Sequence, residues 1–140
     1  MGAVSGGAFF TPLSRIETDG GEVIQAMRSD GDGFVAIEEA YFSRVNAGGV
    51  RAWKFHTKMT VNAVVPVGHL RFVVATADGG FDEYDLGPDH DHGRLTIRPE
   101  TWFGFQAGPA GGLLLNLADI LHDPDEPRAR ALDAFDYTWA

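Results

Sequence analysis

The residues best suited to chemistry lie close together in the middle of the chain, at Lys54, His56 and Lys58. Nearby cations disfavour the protonated form of a histidine, so such an imidazole can accept a proton near neutral pH. An ammonium group beside it can stabilise the enolate that forms when a proton leaves the carbon next to a carbonyl. These residue types predict proton abstraction by His56, with Lys58 as the enolate stabiliser.

The stretch that carries these residues alternates between apolar and polar side chains, which is typical of a half-buried strand. On this pattern the apolar face carries Trp53, Phe55, Met59, Val61, Ala63 and Val65, and the polar face carries Lys54, His56, Lys58, Thr60 and Asn62. The polar face is either exposed to solvent or lines a ligand site. The chain has no lysines other than the two that flank His56, which favours the ligand site.

The elements that must position this strand are those of a β protein. The 140 residues include 18 Gly and 7 Pro, too many for a helical bundle, and eight to ten short strands follow one another at turn-separated intervals. Residues 50–67 are predicted to form a nearly continuous strand with a bend or a bulge within 51–56. The tail at 126–135 has helical composition and is a helix, a single turn or a loop. We expect one all-β domain spanning 1–140.

Composition excludes several classes of partner. A net charge of −9 argues against nucleic acid and anionic membranes, and it leaves room for a small anionic ligand bound by a local positive cluster. No apolar run is long enough to span a bilayer, and the start of the chain lacks the pattern of a leader. The absence of cysteine removes disulfides and thiolate chemistry. We therefore expect a cytoplasmic protein with a small-molecule partner.

A family resemblance rests on residues 49–59, Gly-Val-Arg-Ala-Trp-Lys-Phe-His-Thr-Lys-Met, followed by Val-Pro-Val-Gly at 65–68. This stretch resembles the Gly-Val-x-Arg-Gly-x-His core of the dTDP-4-dehydrorhamnose 3,5-epimerase family. Sugar 3,4-ketoisomerases, whose motif is Arg-Gly-x-His-x-His-Lys, resemble it almost as well. The resemblance implies a cupin-type jelly-roll β-barrel, a nucleotide-sugar substrate and a homodimer.

The resemblance also implies roles for individual residues. His56 is the base and Lys58 the enolate stabiliser, although the family lysine lies further beyond its histidine. The late strand that carries the family's catalytic tyrosine reads Leu-Leu-Leu-Asn-Leu here, and Tyr41 is the best substitute as the acid. The predicted substrate-binding residues are Arg51, Lys54, Glu39, Ser43, Asn62, Trp102 and Asn116, where Trp102 is equally well a core residue.

The sequence leaves open which carboxylate orients His56 and which reaction the protein catalyses. A carboxylate that orients His56 comes from Asp119, Asp123, Asp125, Glu126 or Glu39. The activity is epimerisation of a dTDP-4-keto-6-deoxyhexose, sugar 3,4-ketoisomerisation, or sugar binding without catalysis.

We expect no cofactor and no metal. Many cupins bind a metal through two histidines, a glutamate and a later histidine, but Lys54 replaces one of these ligands and two ammonium groups would repel a cation. The Asp-His-Asp-His run at 89–92 is the competing metal candidate, and such runs are usually solvated turns. A metal-dependent oxygenase or isomerase is accordingly the third hypothesis.

Overall fold

The computed structural model describes residues 7–140, so the first six residues of the expected domain lie outside the described part. The described strands, in chain order, are β1 (Ala8–Pro12), β2 (Arg15–Thr18), β3 (Gly21–Ile24), β4 (Glu39–Val45), β5 (Val50–His56), β6 (Val61–Ala75), β7 (Phe81–Leu86), β8 (Gly93–Ile97), β9 (Trp102–Ala118) and β10 (Pro127–Ala129). A 3₁₀ turn follows at Leu132–Ala134. The all-β class is confirmed, and the tail is a short strand followed by a single turn.

Two long strands organise the barrel. β6 pairs with β8 through its first half and with β7 through its second half. β9 pairs with β5 through its first half and with β4 through its second half, and β6 and β9 pair with each other along most of their length. All of these pairings are antiparallel. Because each long strand pairs with two further strands, the sheet curls into a half-barrel, which is consistent with the predicted jelly-roll β-barrel.

A pair of glycines allows the two long strands to bend at the same place. Gly68 in β6 and Gly111 in β9 have φ angles of 79° and 77°, in the region that glycine tolerates best. A Cβ on Gly68 would lie 2.3 Å from the carbonyl oxygen of Gly111. The pairing register of β6 shifts here as well. The bend therefore depends on two backbones that approach too closely for any side chain.

The core fills the space enclosed by the curled sheet. Its buried members come mainly from β6, β7, β8 and β9 and include Ala63, Val65, Leu70, Phe72, Leu86, Leu95, Ile97 and Phe103. Side chains from alternate positions of these strands point inward, as the pleat requires. Within residues 7–140, no helix is long and apolar enough to cross a membrane.

Several predicted boundaries need correction. β5 ends at His56 and residues 57–60 form a turn, so 50–67 is two strands, which is a larger break than the predicted bend. β9 runs without interruption over 17 residues, so the late Leu-Leu-Leu-Asn-Leu stretch is the second half of a longer strand.

Candidate active site

A β-bulge in β5 decides which side chains reach the inside of the barrel. Arg51 pairs with Phe105 and Lys54 pairs with Phe103, so two residues of β5 lie opposite one residue of β9. The extra residue breaks the regular alternation of the strand. Arg51, Lys54 and His56 consequently line the same cavity, although Arg51 and Lys54 are an odd number of positions apart.

This cavity has a volume of about 70 Å³ and lies between β4, β5, β6 and β9. Its polar lining residues are Tyr41, Ser43, Arg51, Lys54, His56 and Asn116, and its apolar walls are Val61, Phe72, Phe103, Phe105 and Leu114. Six of the ten predicted site residues therefore share one cavity. A second hollow of about 270 Å³ shares Arg51, Lys54 and Phe105 with the first.

His56 is held by a carboxylate from the far end of the chain. Its Nδ1 lies 2.7 Å from Oε1 of Glu126, and both side chains are buried. A carboxylate at this distance accepts a hydrogen bond, so the proton lies on Nδ1 and Nε2 is the basic nitrogen. Of the carboxylates that the sequence left open, the structure selects Glu126.

The second carboxylate oxygen of Glu126 also accepts hydrogen bonds. Oε2 accepts hydrogen bonds from the backbone amides of Lys58 at 2.9 Å and Met59 at 3.1 Å. Burial on its own would raise the pKa of Glu126, but the hydrogen bonds from His56 and from the two amides outweigh it and the net pKa is lowered. Glu126 is thus kept as an anion that fixes the orientation of the imidazole.

Lys54 and Arg51 provide positive charge at the mouth of the cavity. Within residues 7–140 neither takes part in an ion pair. Burial lowers the pKa of Lys54, and the nearby positive charge of Arg51 lowers it further, while Glu126 acts in the opposite direction. Two unneutralised cations side by side favour a ligand with negative charge.

Tyr41 and Asn116 face each other across the β4–β9 pairing. The side-chain amide of Asn116 donates a hydrogen bond of 2.7 Å to the Tyr41 hydroxyl oxygen. Because that oxygen serves as the acceptor, the hydroxyl proton is available to a ligand. Oδ1 of Asn116 is buried and has no partner among the described residues. A hydroxyl group of a ligand could satisfy it.

Lys58 does not lie beside His56 as the alternation predicted. The strand ends at His56, so Lys58 falls in the 57–60 turn and its side chain is exposed outside the cavity. Its backbone amide still contributes to the site through Glu126. The lysine that lines the cavity is Lys54.

Three further predicted residues also lie outside the cavity. Oε1 of Glu39 accepts a hydrogen bond from the backbone amide of His122. Asn62 is buried elsewhere in the sheet, where it donates to the carbonyl of Gly33 and accepts from the hydroxyl of Thr96. Trp102 packs against Phe55, and the Arg130 guanidinium lies 4.3 Å from its ring centroid. Trp102 is a packing residue here.

The metal set of many cupins does not fit this site. Within the described chain, no three His, Asp or Glu side chains come together as a group that could hold a metal ion. The histidines of the 89–92 run go to different partners. His90 stacks on His69, and Nε2 of His92 lies 2.9 Å from the carbonyl oxygen of Gln25.

The apolar walls of the cavity could not be recognised from the sequence. Phe72 and Leu114 carry no signal that separates them from core residues, because apolar side chains on a strand look alike whether they face core or cavity. Glu126 was one of five candidate carboxylates, and only the pairing of β10 with β5, which sets Pro127 opposite His56, brings it to the histidine.

No protein-family model and no curated protein matches the chain. Solved structures do match it. A dTDP sugar isomerase from Desulfovibrio desulfuricans G20 is 33% identical, with a TM-score of 0.88 over 95% of this chain and 90% of that one. A dTDP-4-dehydrorhamnose 3,5-epimerase from Sulfolobus tokodaii has a TM-score of 0.79 at 16% identity, over 93% of this chain and 80% of that one.

A third structure is QdtA, a sugar 3,4-ketoisomerase from Thermoanaerobacterium thermosaccharolyticum in complex with TDP. Its TM-score is 0.74 at 17% identity, over 87% of each chain. At this identity, as with the S. tokodaii epimerase, the likeness shows a shared fold.

The curled antiparallel barrel, with a buried imidazole–carboxylate pair facing an internal cavity, is the architecture of a cupin-type sugar-modifying enzyme. At 33% identity over 95% of its length, the chain belongs to the family of dTDP-sugar isomerases and epimerases. The predicted family is thereby confirmed.

Proposed function

We propose that the chain removes a proton from the carbon next to the ketone of a dTDP-4-keto-6-deoxyhexose and returns it through an enolate. The observation that carries this proposal is the hydrogen bond of 2.7 Å between His56 Nδ1 and Glu126, inside a cavity that also holds a lysine and a tyrosine. A carboxylate-oriented imidazole beside an ammonium group is suited to forming and stabilising an enolate.

In the proposed reaction, Nε2 of His56 takes the proton from the carbon. The C–H electron pair forms the enolate double bond, and negative charge collects on the former ketone oxygen. Lys54 stabilises that charge, in the role that the sequence assigned to Lys58, because Lys54 is the lysine that lines the cavity. The Tyr41 hydroxyl then donates a proton to carbon, and the amide of Asn116 stabilises the resulting phenolate. Proton exchange with water resets His56 and Tyr41.

The same residues suggest how the substrate is held. Arg51 and Lys54 border both hollows, so we place the negatively charged diphosphate of the nucleotide-sugar beside them and the sugar in the inner cavity. Ser43 and the free oxygen of Asn116 bind sugar hydroxyls. Two solved structures with this fold are complexes with TDP and with TDP-4-keto-6-deoxyglucose, which supports this class of substrate.

The stereochemical outcome depends on which carbon receives the proton. Return to the same carbon from the opposite face gives an epimer. Delivery to C4 of an enediol formed from C3 and C4, with loss of the C3 hydroxyl proton, moves the ketone to C3. Leu115 or Asn116 stands where the resemblance places the catalytic tyrosine of the epimerases, and the absence of a tyrosine there favours the second outcome.

The experiment is NMR of the products formed from dTDP-4-keto-6-deoxyglucose. A change in the coupling of the C3 or C5 proton identifies an epimerase, and a ketone signal at C3 identifies a ketoisomerase. A protein that binds this substrate and returns it unchanged, with no exchange of its protons, is a binding protein, and the proposal is then wrong.

A homodimer, a cytoplasmic location and metal-independent catalysis complete the proposal. The dimer rests on the family resemblance and on the usefulness of covering exposed sheet edges. Mass measurement of the native protein tests the oligomeric state. Activity that persists in the presence of a strong chelator supports catalysis without a metal.

A further inference from the structure

We infer that Trp53 and Gly104 are positioning residues, and that the C-terminal segment at 130–139 holds Trp53 so that Lys54 points into the cavity. We call this segment the C-terminal strap. The inference deepens the proposed function and rests on it for the role of Lys54. The orientation of Lys54 can be measured without any activity.

The first support is the geometry of the bulge. Arg51 lies opposite Phe105 and Lys54 lies opposite Phe103, which leaves Ala52 and Trp53 facing Gly104 alone. In a regular strand, Arg51 and Trp53 would share one face and Lys54 would share the other with His56. The additional residue puts Arg51, Lys54 and His56 on the cavity side and Trp53 on the outside.

Gly104 makes room for the bulge. A Cβ at this position would lie 2.4 Å from the Cβ of Ala52 and 3.2 Å from the carbonyl oxygen of Arg51. Two Cβ atoms essentially never lie 2.4 Å apart, so β5 or β9 would have to move. Glycine at 104 is thus required by close packing against the bulged strand.

The strap secures Trp53 on the outer side of β5. The side chain is 1% exposed, and its indole N–H donates a hydrogen bond of 3.1 Å to the carbonyl of Leu132. The backbones of Trp53 and Arg130 exchange two hydrogen bonds of 3.1 Å. The indole ring packs against Phe135, Trp139, Phe81 and Tyr137, with ring centroids 4.8, 5.3, 5.9 and 6.2 Å away.

These contacts determine the register of β5. If the bulge were lost, the strand would slip by one residue, and a slip of one residue exchanges the two faces of a strand. Lys54 would then compete for the aromatic site and the indole would be displaced from it. A bulky aromatic group buried on the outer face of β5 therefore fixes a cation on the inner face, and both residues also border the second hollow.

The chain offers a direct readout because Lys54 and Lys58 are its only lysines. Reductive methylation with ¹³C-formaldehyde keeps both charges and gives two lysine signals in an NMR spectrum, which Lys54→Arg and Lys58→Arg variants assign. The variants to compare are Gly104→Ala and Trp139→Ala, with Trp139→Phe as the conservative rescue. Phe9→Ala is the control. Phe9 is also half-buried, but it belongs to β1, which does not pair with β5, and its ring lies under the Arg98 guanidinium.

In the wild-type protein, we expect the Lys54 signal to titrate below the ordinary lysine pKa and to shift when TDP is added. The charged or titratable groups around it are Arg51, His56, Tyr41 and Glu126. In Gly104→Ala and Trp139→Ala, the Lys54 pKa rises toward that of a solvated lysine and the TDP-induced shift is lost. Trp139→Phe restores both, and the Lys58 signal is unchanged throughout.

Turnover separates this inference from the proposed function. In the two disrupted variants, kcat falls about ten-fold or more, and the alkaline limb of the pH–rate profile moves to higher pH. Lys54 titrations that are identical in wild type, Gly104→Ala and Trp139→Ala overturn the inference. Variant effects on Lys54, in a protein that does not turn over any ketosugar, leave the inference intact and overturn the proposed function.

Discussion

The nearly buried carboxylate of Glu126 orients the imidazole of His56. Glu126 is 3% exposed, and its oxygens accept hydrogen bonds from His56 and from the amides of Lys58 and Met59. An anion in such surroundings is stable only while these donors are present. The pair therefore links the chemistry of the site to the stability of the molecule.

Replacing Glu126 with Gln tests this link. We expect the free energy of unfolding to fall by about 2–3 kcal/mol at neutral pH, because a charged acceptor of three hydrogen bonds is lost. Since the folded-state pKa of Glu126 is lowered, its contribution is fully present above the unfolded-state pKa and disappears as the pH falls through the folded-state value. Denaturant unfolding at a series of pH values measures the difference between the two proteins. A difference that stays constant into the acid range contradicts the account.

The two lysines provide a matched pair of variants. Lys54→Gln removes the cation that lines the cavity, and we expect kcat to fall by about 10²-fold because the enolate loses its electrostatic partner. Lys58→Gln removes an exposed ammonium and keeps the backbone amide that binds Glu126, so kcat stays within about two-fold of wild type. Steady-state kinetics on a ketosugar measure both. Equal losses in the two variants are incompatible with the assignment of Lys54.

At the scale of elements, the barrel depends on the joint bend of β6 and β9. The bend lies where Gly68 and Gly111 have positive φ angles and their backbones nearly touch. It allows the first half of β6 to pair with β8 and the second half with β7. The cavity is enclosed because both long strands turn at the same point.

Substituting Gly68 by Ala tests the bend. A Cβ here meets the carbonyl of Gly111 at 2.3 Å and has to adopt a φ of 79°, so we expect a loss of about 2–4 kcal/mol in the free energy of unfolding. Gly79→Ala is the matched control, because Gly79 also has a positive φ, of 85°, and lies in open space. Denaturant unfolding of the two variants compares them. A Gly68→Ala protein no less stable than Gly79→Ala argues against the close approach.

Part of the arrangement of the strands around the site could be predicted from the sequence. The Arg-to-His motif at 51–56 marked the bulged strand and its histidine. The place where β5 ends was not visible, because Thr57 to Thr60 continue the alternation of the strand while their backbone turns away. This single break moves Lys58 out of the site. Glu126 could not be chosen because it lies 70 residues from His56, and only tertiary pairing brings the two together.

At the scale of the whole molecule, the net charge and the charge of the site have opposite signs. The chain carries a net charge of −9, yet Arg51 and Lys54 stand unpaired at the cavity within the described residues. A negatively charged surface repels anions at long range, and salt screens that repulsion as well as the local attraction. Close contacts in a partly buried site are screened less, so we expect the local pair to dominate the binding of an anionic ligand.

If the local positive charge of Arg51 and Lys54 binds the diphosphate, the affinity for TDP depends on Arg51. We expect Arg51→Gln to weaken TDP binding by about ten-fold, because a bidentate partner of the diphosphate is lost. Arg128→Gln is the control, because within residues 7–140 this guanidinium hydrogen-bonds only to the backbone carbonyls of residues 125–127 and does not line the cavity. Isothermal titration calorimetry measures both affinities. Unchanged affinity in Arg51→Gln places the diphosphate elsewhere.

The central claim is that His56 removes a proton from the carbon beside a ketone. The most direct measurement is exchange of the C3 proton of dTDP-4-keto-6-deoxyglucose in heavy water, followed by NMR with wild-type protein and with His56→Ala. We expect the C3 proton signal to disappear with the wild-type protein at a rate far above that with His56→Ala. Equal rates for the two proteins, or no exchange with either at C3 or C5, contradict it.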